Sequence, residues 1–266
     1  MNLTIITVCW NAKADLDKTL NGVLKQSYRD MEYLIVDGGS TDGSIELLSE
    51  YKKAFADAGI AYRWISERDK GTYDAMNKGA RMAQGEWVLY MNAGDSFYTD
   101  DALEKFLAHE IPNDCGYCFG DTYEEWDFGG GIAKYEDHVK DNPVMPFCHQ
   151  SCFVRTELMC KYGFDESYRI IADHDLFYRM SNDGVKTLYV EEVVARYNGQ
   201  YGLSAQNPLR LRLEGLRVYG KDKCWYYPLL IIKTYLRYGW IAWFKRTMPK
   251  SWTDAWMKWK RRRFVR

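Results

Sequence analysis

The chain lacks a large net charge, a cysteine framework, internal repeats and any bilayer-length apolar run free of cations. Its 36 Lys and Arg nearly cancel its 37 Asp and Glu, leaving a formal −1. Seven cysteines, at 9, 115, 118, 148, 152, 160 and 224, form an odd set without framework spacing, which argues against a disulfide scaffold. Cys115-x-x-Cys118 has no second pair to complete a metal site. Reduced, mostly buried thiols of a cytosolic protein are expected instead. The N-terminus runs straight into an apolar stretch, so no signal peptide is expected.

What is present is unevenly distributed. The 266 residues allow one large domain, or one domain with an appendage. Residues 208–266 carry 16 Lys and Arg against 3 Asp and Glu, a net of +13, so residues 1–207 carry −14. An acidic body with a basic arm suggests contact with an anionic surface. Six of the ten Trp lie beyond residue 220. Trp225–Phe244, WYYPLLIIKTYLRYGWIAWF, has the length of a bilayer span, but Pro228, Lys233 and Arg237 interrupt it. Each central cation costs about 2.5–3.5 kcal/mol on an insertion scale. A segment lying in the interface can instead snorkel its cations to the headgroups. Trp252, Trp256 and Trp259 share a helical face and precede Lys260-Arg261-Arg262-Arg263. The alternative is a helical lid whose aromatics pack on the core. Nucleic acid fits less well, because Leu229-Leu230-Ile231-Ile232 is not a groove-reading surface.

Periodicity predicts alternating strands and helices over the first hundred residues. Leu3–Trp10 and Met31–Val36 read as buried strands and Ala61–Ser66 as a third. Leu16, Leu20, Val23 and Leu24 mark one intervening helix, and Ile45, Leu47, Leu48 and Tyr51 another, capped by Thr41 or Asp42. A helix over 72–84 stops at Gly85, and a strand over 86–91 follows. Such alternation argues for parallel βαβ units. Beyond residue 100 the spacing predicts a helix over 101–109, strands over 116–123, 147–155 and 187–197, and a helix near 173–183. Gly129-Gly130-Gly131 reads as a mobile loop.

Polar residues gather at the predicted strand ends, where open α/β sheets bind ligands. Strand one ends at Trp10-Asn11, strand two at Asp37-Gly38-Gly39-Ser40-Thr41-Asp42, and strand three before Glu67, Asp69 and Lys70. The fourth delivers Asn92 and Asp95. A carboxylate there suits a hard cation held partly by substrate phosphates. A plain Asx-turn closing the strand would use the same residues.

These stretches resemble a known family. TIITVCWNAKADLDKTLNGVLKQSYRDMEYLIVDGGSTDGS is similar to the start of family-2 glycosyltransferases. SERDKGTYDAMNKGARMAQGEWVLYMNAGD resembles their colanic acid and capsular polysaccharide branch. The likeness spans about residues 3–200.

The resemblance implies the GT-A fold, a Rossmann-like, mostly parallel sheet flanked by helices. It implies inverting transfer from a nucleotide-sugar donor, with UDP the commonest nucleotide, and Mg²⁺ or Mn²⁺ as cofactor. Residues 1–207 would form the catalytic domain, with 1–100 binding donor and 101–207 binding acceptor. Residues 208–266 would be a helical, basic, aromatic-rich extension.

By resemblance, Asp37 and Gly38 hold the base and ribose, with Trp10 and Asn11 lining the same crevice. Glu67, Asp69, Lys70 and Asp74 face the donor, Lys70 as a point charge for phosphate. Asn92-Ala93-Gly94-Asp95 stands where the family carries Asp-x-Asp, so Asp95 aligns with the metal ligand and Asn92 replaces an acid. Asp173, in Ile171-Ala172-Asp173-His174-Asp175, aligns with the general base, and Asp175 is the alternative. His149-Gln150 matches an acceptor-side pair that contacts a phosphate or orders a loop, although a lone His is more often structural.

The expected activity is assembly of a bacterial polysaccharide repeat on a lipid-linked acceptor. It would take place at the inner face of the cell membrane, with the extension resting peripherally on anionic lipid. A sugar-phosphate nucleotidylyltransferase needs a Gly-rich loop after strand one, whereas residues 11–21, NAKADLDKTLN, have no glycine. A catalytically silent membrane adaptor would not need Asp37, Asp95 and Asp173.

Overall fold

The computed structural model describes residues 3–126, 129–135, 145, 147–198 and 207–261. The first hundred residues alternate as expected: β1 (Leu3–Cys9), α1 (Lys13–Leu24), β2 (Met31–Asp37), α2 (Ser44–Asp57), β3 (Ala61–Ser66), α3 (Thr72–Met82) and β4 (Trp87–Tyr90). There follow β5 (Ser96–Phe97), α4 (Ala102–Leu107), β6 (Cys115–Trp126), β7 (Gly129–Ala133) and β8 (Cys152–Arg155). The chain continues through α5 (Thr156–Tyr162), α6 (Ala172–Asn182), β9 (Lys186–Asn198), α7 (Pro208–Val218), α8 (Tyr227–Thr247) and α9 (Lys250–Arg261).

The strands form one sheet in the order β3-β2-β1-β4-β8-β6-β9-β5, with β7 on β6. The pairs β3–β2, β2–β1 and β1–β4 are parallel. Every residue of β1, β2 and β4 is buried, because helices cover both sheet faces. Beyond β4 the sheet becomes mixed: β8 is antiparallel to β4 and β6, while β9 runs parallel to β6. One core gathers Leu16, Leu20, Leu48 and Phe55 below the sheet, and the other gathers Ala75, Met76, Leu176 and Phe177 above it. Each fully buried Leu or Phe side chain contributes about 1.5–3 kcal/mol.

Three expectations are corrected. Gly129-Gly130-Gly131 is not a loop but opens β7, with Gly130 opposite Glu125. The missing side chain there makes room for the Tyr123 hydroxyl. Residues 147–155 are not all strand, because His149–Ser151 form a 3-10 turn before β8. Gly85 is not a left-handed helix stop, since α3 ends at Met82 with Ala83 extended at φ −59° and ψ 136°. Gly85 is required by contact: a Cβ would lie 2.6 Å from the Thr4 nitrogen and 2.8 Å from the Leu3 carbonyl carbon.

Among the described residues no helix is long and apolar enough to cross a membrane, and no three His, Cys, Asp or Glu cluster to hold a metal. All seven cysteines are free. Burial raises the thiol pKa of both Cys115 and Cys118.

Candidate active site

The ends of β1 and β2 build one side of a crevice. Asn11 adopts φ 48°, the left-handed region that Asn tolerates better than most residues. Its amide oxygen accepts the Thr41 N–H at 2.8 Å, and its own N–H donates to Ser40 Oγ at 2.7 Å. Trp10 projects exposed beside this turn.

Asp37 is fully buried. Its carboxylate accepts the N–H of Gly39 at 3.0 Å and of Ser40 at 2.9 Å, together with the hydroxyls of Ser66 at 2.6 Å and of Ser40. Burial raises its pKa, but these hydrogen bonds outweigh burial and hold it below the usual carboxylate range. Asp37 therefore shapes the Gly38–Ser40 loop from within. The Asp69 carboxylate packs directly over Gly38, since a Cβ there would meet Asp69 Oδ2 at 2.5 Å and the Trp10 Cβ at 3.4 Å. The structure thus gathers Trp10, Asn11, Asp37, Gly38 and Asp69.

The loop after β3 is tied by its own charges. Asp74 is buried and accepts the Lys70 N–H at 2.9 Å. Burial raises the Asp74 pKa, yet the Lys70 N–H and the Lys78 charge lower it further. Lys78 Nζ lies 3.0 Å from Glu67 and 3.6 Å from Asp74. It also donates to the Arg68 carbonyl at 3.0 Å. Glu67 and Asp74 are thereby joined through Lys78, which stands one helical turn after Asp74 on α3. The Lys70 side chain stays exposed.

The Asn92–Asp95 turn follows β4. Asp95 Oδ2 accepts the Asn92 N–H at 3.1 Å and the Gln150 side-chain amide at 3.2 Å. Gly94, at φ 98°, allows the reversal. Thr19 of α1 clasps the turn, donating to the Asp95 carbonyl at 2.8 Å and accepting the Gly94 N–H at 3.0 Å. Burial pushes the Asp95 carboxyl up to about 6, against the opposing pull of His149 and Lys18. The Asn92 amide oxygen is also buried, without a hydrogen-bond partner. An under-compensated carboxylate and an orphaned amide oxygen in one turn fit a hard cation. Lacking further acidic ligands, such a cation would depend on oxygens brought by a phosphate-bearing substrate.

His149 carries the line across to the second half. Its Nε2 lies 3.3 Å from the Asn92 side-chain nitrogen, and its Nδ1 lies 3.5 Å from Asp173 Oδ2. Burial lowers the imidazole pKa, but Asp173 and then Asp95 raise it to a net upward shift. Asp173 sits in the first turn of α6 and keeps part of its carboxylate exposed. Asp175 is instead buried and bonded to Arg179 at 2.7 Å. Asn92, Asp95, His149, Gln150 and Asp173 therefore form one continuous set, although 57 to 81 residues separate the Asn92 turn from the others across the chain.

Further contacts lock the halves together. Asn77 of α3 donates to the Phe164 carbonyl at 2.9 Å and accepts the Phe164 N–H at 2.8 Å. The Tyr73 ring of the same helix packs on the Phe164 ring, centroids 5.4 Å apart. Each contact joins residues far apart in the chain, beyond the reach of local periodicity.

The family model for glycosyl transferase family 2 matches residues 4–161. A PGL/p-HBAD biosynthesis glycosyltransferase of Mycobacterium bovis (strain BCG / Pasteur 1173P2) is 34% identical over 209 residues, covering 76% of this chain and 78% of its own. A putative teichuronic acid biosynthesis glycosyltransferase, TuaG, of Bacillus subtilis (strain 168) is 32% identical over 117 residues, 44% of this chain and 45% of its own. Among solved structures, the mannosyltransferase PcManGT from Pyrobaculum calidifontis, in complex with GDP-Man and Mn²⁺, gives a TM-score of 0.65 at 16% identity. It covers 97% of this chain and 79% of that one. S. aureus TarS 1-349 in complex with UDP-GlcNAc gives a TM-score of 0.62 at 14% identity, covering 97% and 79%. At these identities the structural likeness shows the GT-A fold alone. Sequence relatedness goes further: the chain belongs to glycosyl transferase family 2, and it is a glycosyltransferase.

Proposed function

We propose that the enzyme transfers a sugar, with inversion, from a UDP-sugar to a lipid-linked saccharide during bacterial polysaccharide assembly. The observation that carries this reading is the line Asp95–Asn92–His149–Asp173, which runs from the donor-side strand ends to a partly exposed carboxylate on the opposite half. Asp173 takes the proton of the acceptor hydroxyl as that oxygen forms its bond to the anomeric carbon. The bond from that carbon to the diphosphate breaks on the opposite face. His149 faces Asp173 at 3.5 Å and orients it. Asp95, with the Asn92 amide oxygen, would hold Mg²⁺ or Mn²⁺, which supplies charge neutralisation of the leaving diphosphate. Trp10 and Asp69 line the base and ribose side, and the exposed Lys70 is available to phosphate.

Relatives named for PGL/p-HBAD and teichuronic acid biosynthesis support a role in glycan assembly. Structural neighbours bound to UDP-GlcNAc and to GDP-Man support a nucleotide-sugar donor, and UDP is taken as the commonest nucleotide of the family. Residues 1–100 and 101–207 act as donor and acceptor halves, and the extension 208–266 carries a peripheral membrane contact on the cytoplasmic side in α8 and α9. Leu229, Ile232, Leu236, Trp240 and Trp243 are exposed at three- and four-residue spacing along α8, with exposed Lys233 and Arg237 beside them. Trp252 and Trp259 of α9 are exposed as well. Arg262 and Arg263, the end of the basic cluster, lie outside the described residues. An apolar stripe flanked by cations suits an anionic interface.

The test is thermal-shift screening of UDP, GDP and dTDP with Mn²⁺, followed by transfer assays on the stabilising nucleotide's sugars. A ligand at 100 times its dissociation constant adds about 2.7 kcal/mol of stability. Stabilisation by none of the three would remove the donor assignment.

A further inference from the structure

Glu214 joins the C-terminal extension to the catalytic half. It lies within α7, buried despite its charge. One carboxylate accepts the Arg169 N–H at 3.2 Å and the Ile170 N–H at 3.0 Å, and Arg210 Nε neutralises it at 3.0 Å. Arg169 and Ile170 immediately precede Ile171, the residue that caps α6, and Asp173 follows two residues later. The helix lies flat on this segment, since a Cβ on Gly215 would stand 3.7 Å from the Ile171 side chain. One turn on, the Tyr219 hydroxyl lies 2.6 Å from His174 Nε2. The Arg217 guanidinium covers the Tyr168 ring at 4.3 Å. Leu216 and Val218 are buried, Val218 within the upper core. The Arg169 side chain reaches toward the donor loop, with Nη1 3.8 Å from where a Gly71 Cβ would stand.

We propose that Glu214 is a positioning residue for the reaction: by fixing the backbone of Arg169 and Ile170 it sets where α6 begins, and so where Asp173 meets the acceptor hydroxyl. The inference rests on Asp173 being the base. A buried acid bound to two main-chain N–H groups is a costly way to attach a mere membrane arm, because charge burial needs full compensation. It is well suited to fixing a loop whose placement decides a proton transfer, where about 1 Å of misplacement can cost on the order of 10²-fold in rate.

The test compares full-length wild type, Glu214→Gln, Asp173→Asn and the double variant. In Glu214→Gln one acceptor oxygen becomes an N–H₂ donor facing N–H groups. Turnover is expected to fall by about tenfold to a hundredfold, while nucleotide affinity stays within about twofold and the protein remains folded. In the Asp173→Asn background the same substitution should cost less than about twofold, since two residues acting through one step are not additive. Wild-type turnover in Glu214→Gln, or equal losses in both backgrounds, overturns the positioning role. A loss matched by an equal loss of nucleotide affinity overturns it too. Wild-type turnover in Asp173→Asn would overturn the base assignment instead, and the two failures are therefore distinct. If Glu214→Gln does not fold, Tyr219→Phe removes the second α7 contact to the α6 start. Turnover unchanged in that variant counts against the proposal.

Discussion

The imidazole Nδ1 of His149 lies 3.5 Å from the carboxylate of Asp173, and the same ring's Nε2 faces Asn92. One histidine therefore spans the two halves of the protein and faces both the Asn92–Asp95 turn and Asp173. Its upward pKa shift follows from that position, with burial opposing and Asp173 prevailing.

Replacing Asp173 with Asn is expected to lower transfer by about 10²–10⁴-fold, the usual range for base catalysis, with nucleotide affinity nearly unchanged. It should also lower the His149 pKa, since the charge that raises it is gone. NMR titration of the imidazole reads this second effect without any assay of turnover. An unmoved His149 pKa would show that the pair is not coupled in solution.

Asp95→Asn should abolish the dependence of nucleotide affinity on Mn²⁺, as read by titration with and without EDTA. Its effect on stability has a defined pH sign. The folded pKa of Asp95, about 6, lies above its ordinary value of 3.8, so ionising it in the fold costs stability. That cost is absent below about pH 4, grows through the window between the two values, and is complete above about 6. Without metal, Asp95→Asn should therefore be neutral near pH 4 and stabilising near pH 8, by at most about 3 kcal/mol. Equal melting shifts at both pH values would contradict the raised carboxyl.

The exposed stripe on α8 should hold the enzyme on vesicles containing anionic lipid. Surface attraction decays over about 8 Å at physiological salt, so high salt should weaken binding, while apolar burial leaves a salt-resistant fraction. A chain cut after Gly220 keeps α7 and should lose vesicle binding but retain nucleotide binding. A cut at residue 207 also removes Glu214, Leu216 and Val218, and should cost turnover and stability as well. Equal sedimentation of the full chain and the Gly220 truncation would favour a helical lid.

Gly85→Ala should destabilise the fold by about 1–3 kcal/mol, the range for overpacking, because the neighbours of the new Cβ are β1 backbone atoms that cannot turn aside. Chemical denaturation measures this. A change below about 0.5 kcal/mol would mean that β1 and the β4 entry separate easily.

The alternation of apolar runs and amphipathic segments was enough by itself to determine the βαβ half, because each period reports a local geometry. The strand-end positions of Asp37 and Asp95 were legible for the same reason. Asp173, at the start of α6, was legible only through the family resemblance, and the uneven charge of the tail from composition alone. Tertiary structure alone decided the rest. Asp37 is consumed by its own loop, which follows from the hydroxyls of Ser40 and Ser66 converging on it. Gly129–Ala133 becomes a strand because β6 offers an open edge, a fact outside the reach of local propensity. Asp173 rather than Asp175 faces His149 because Arg179 occupies Asp175 one helical turn away. Glu214 reads in sequence as one acid in a basic arm. Only the packing of α7 on the α6 entry, 44 residues earlier in the chain, gives it two main-chain N–H groups to hold.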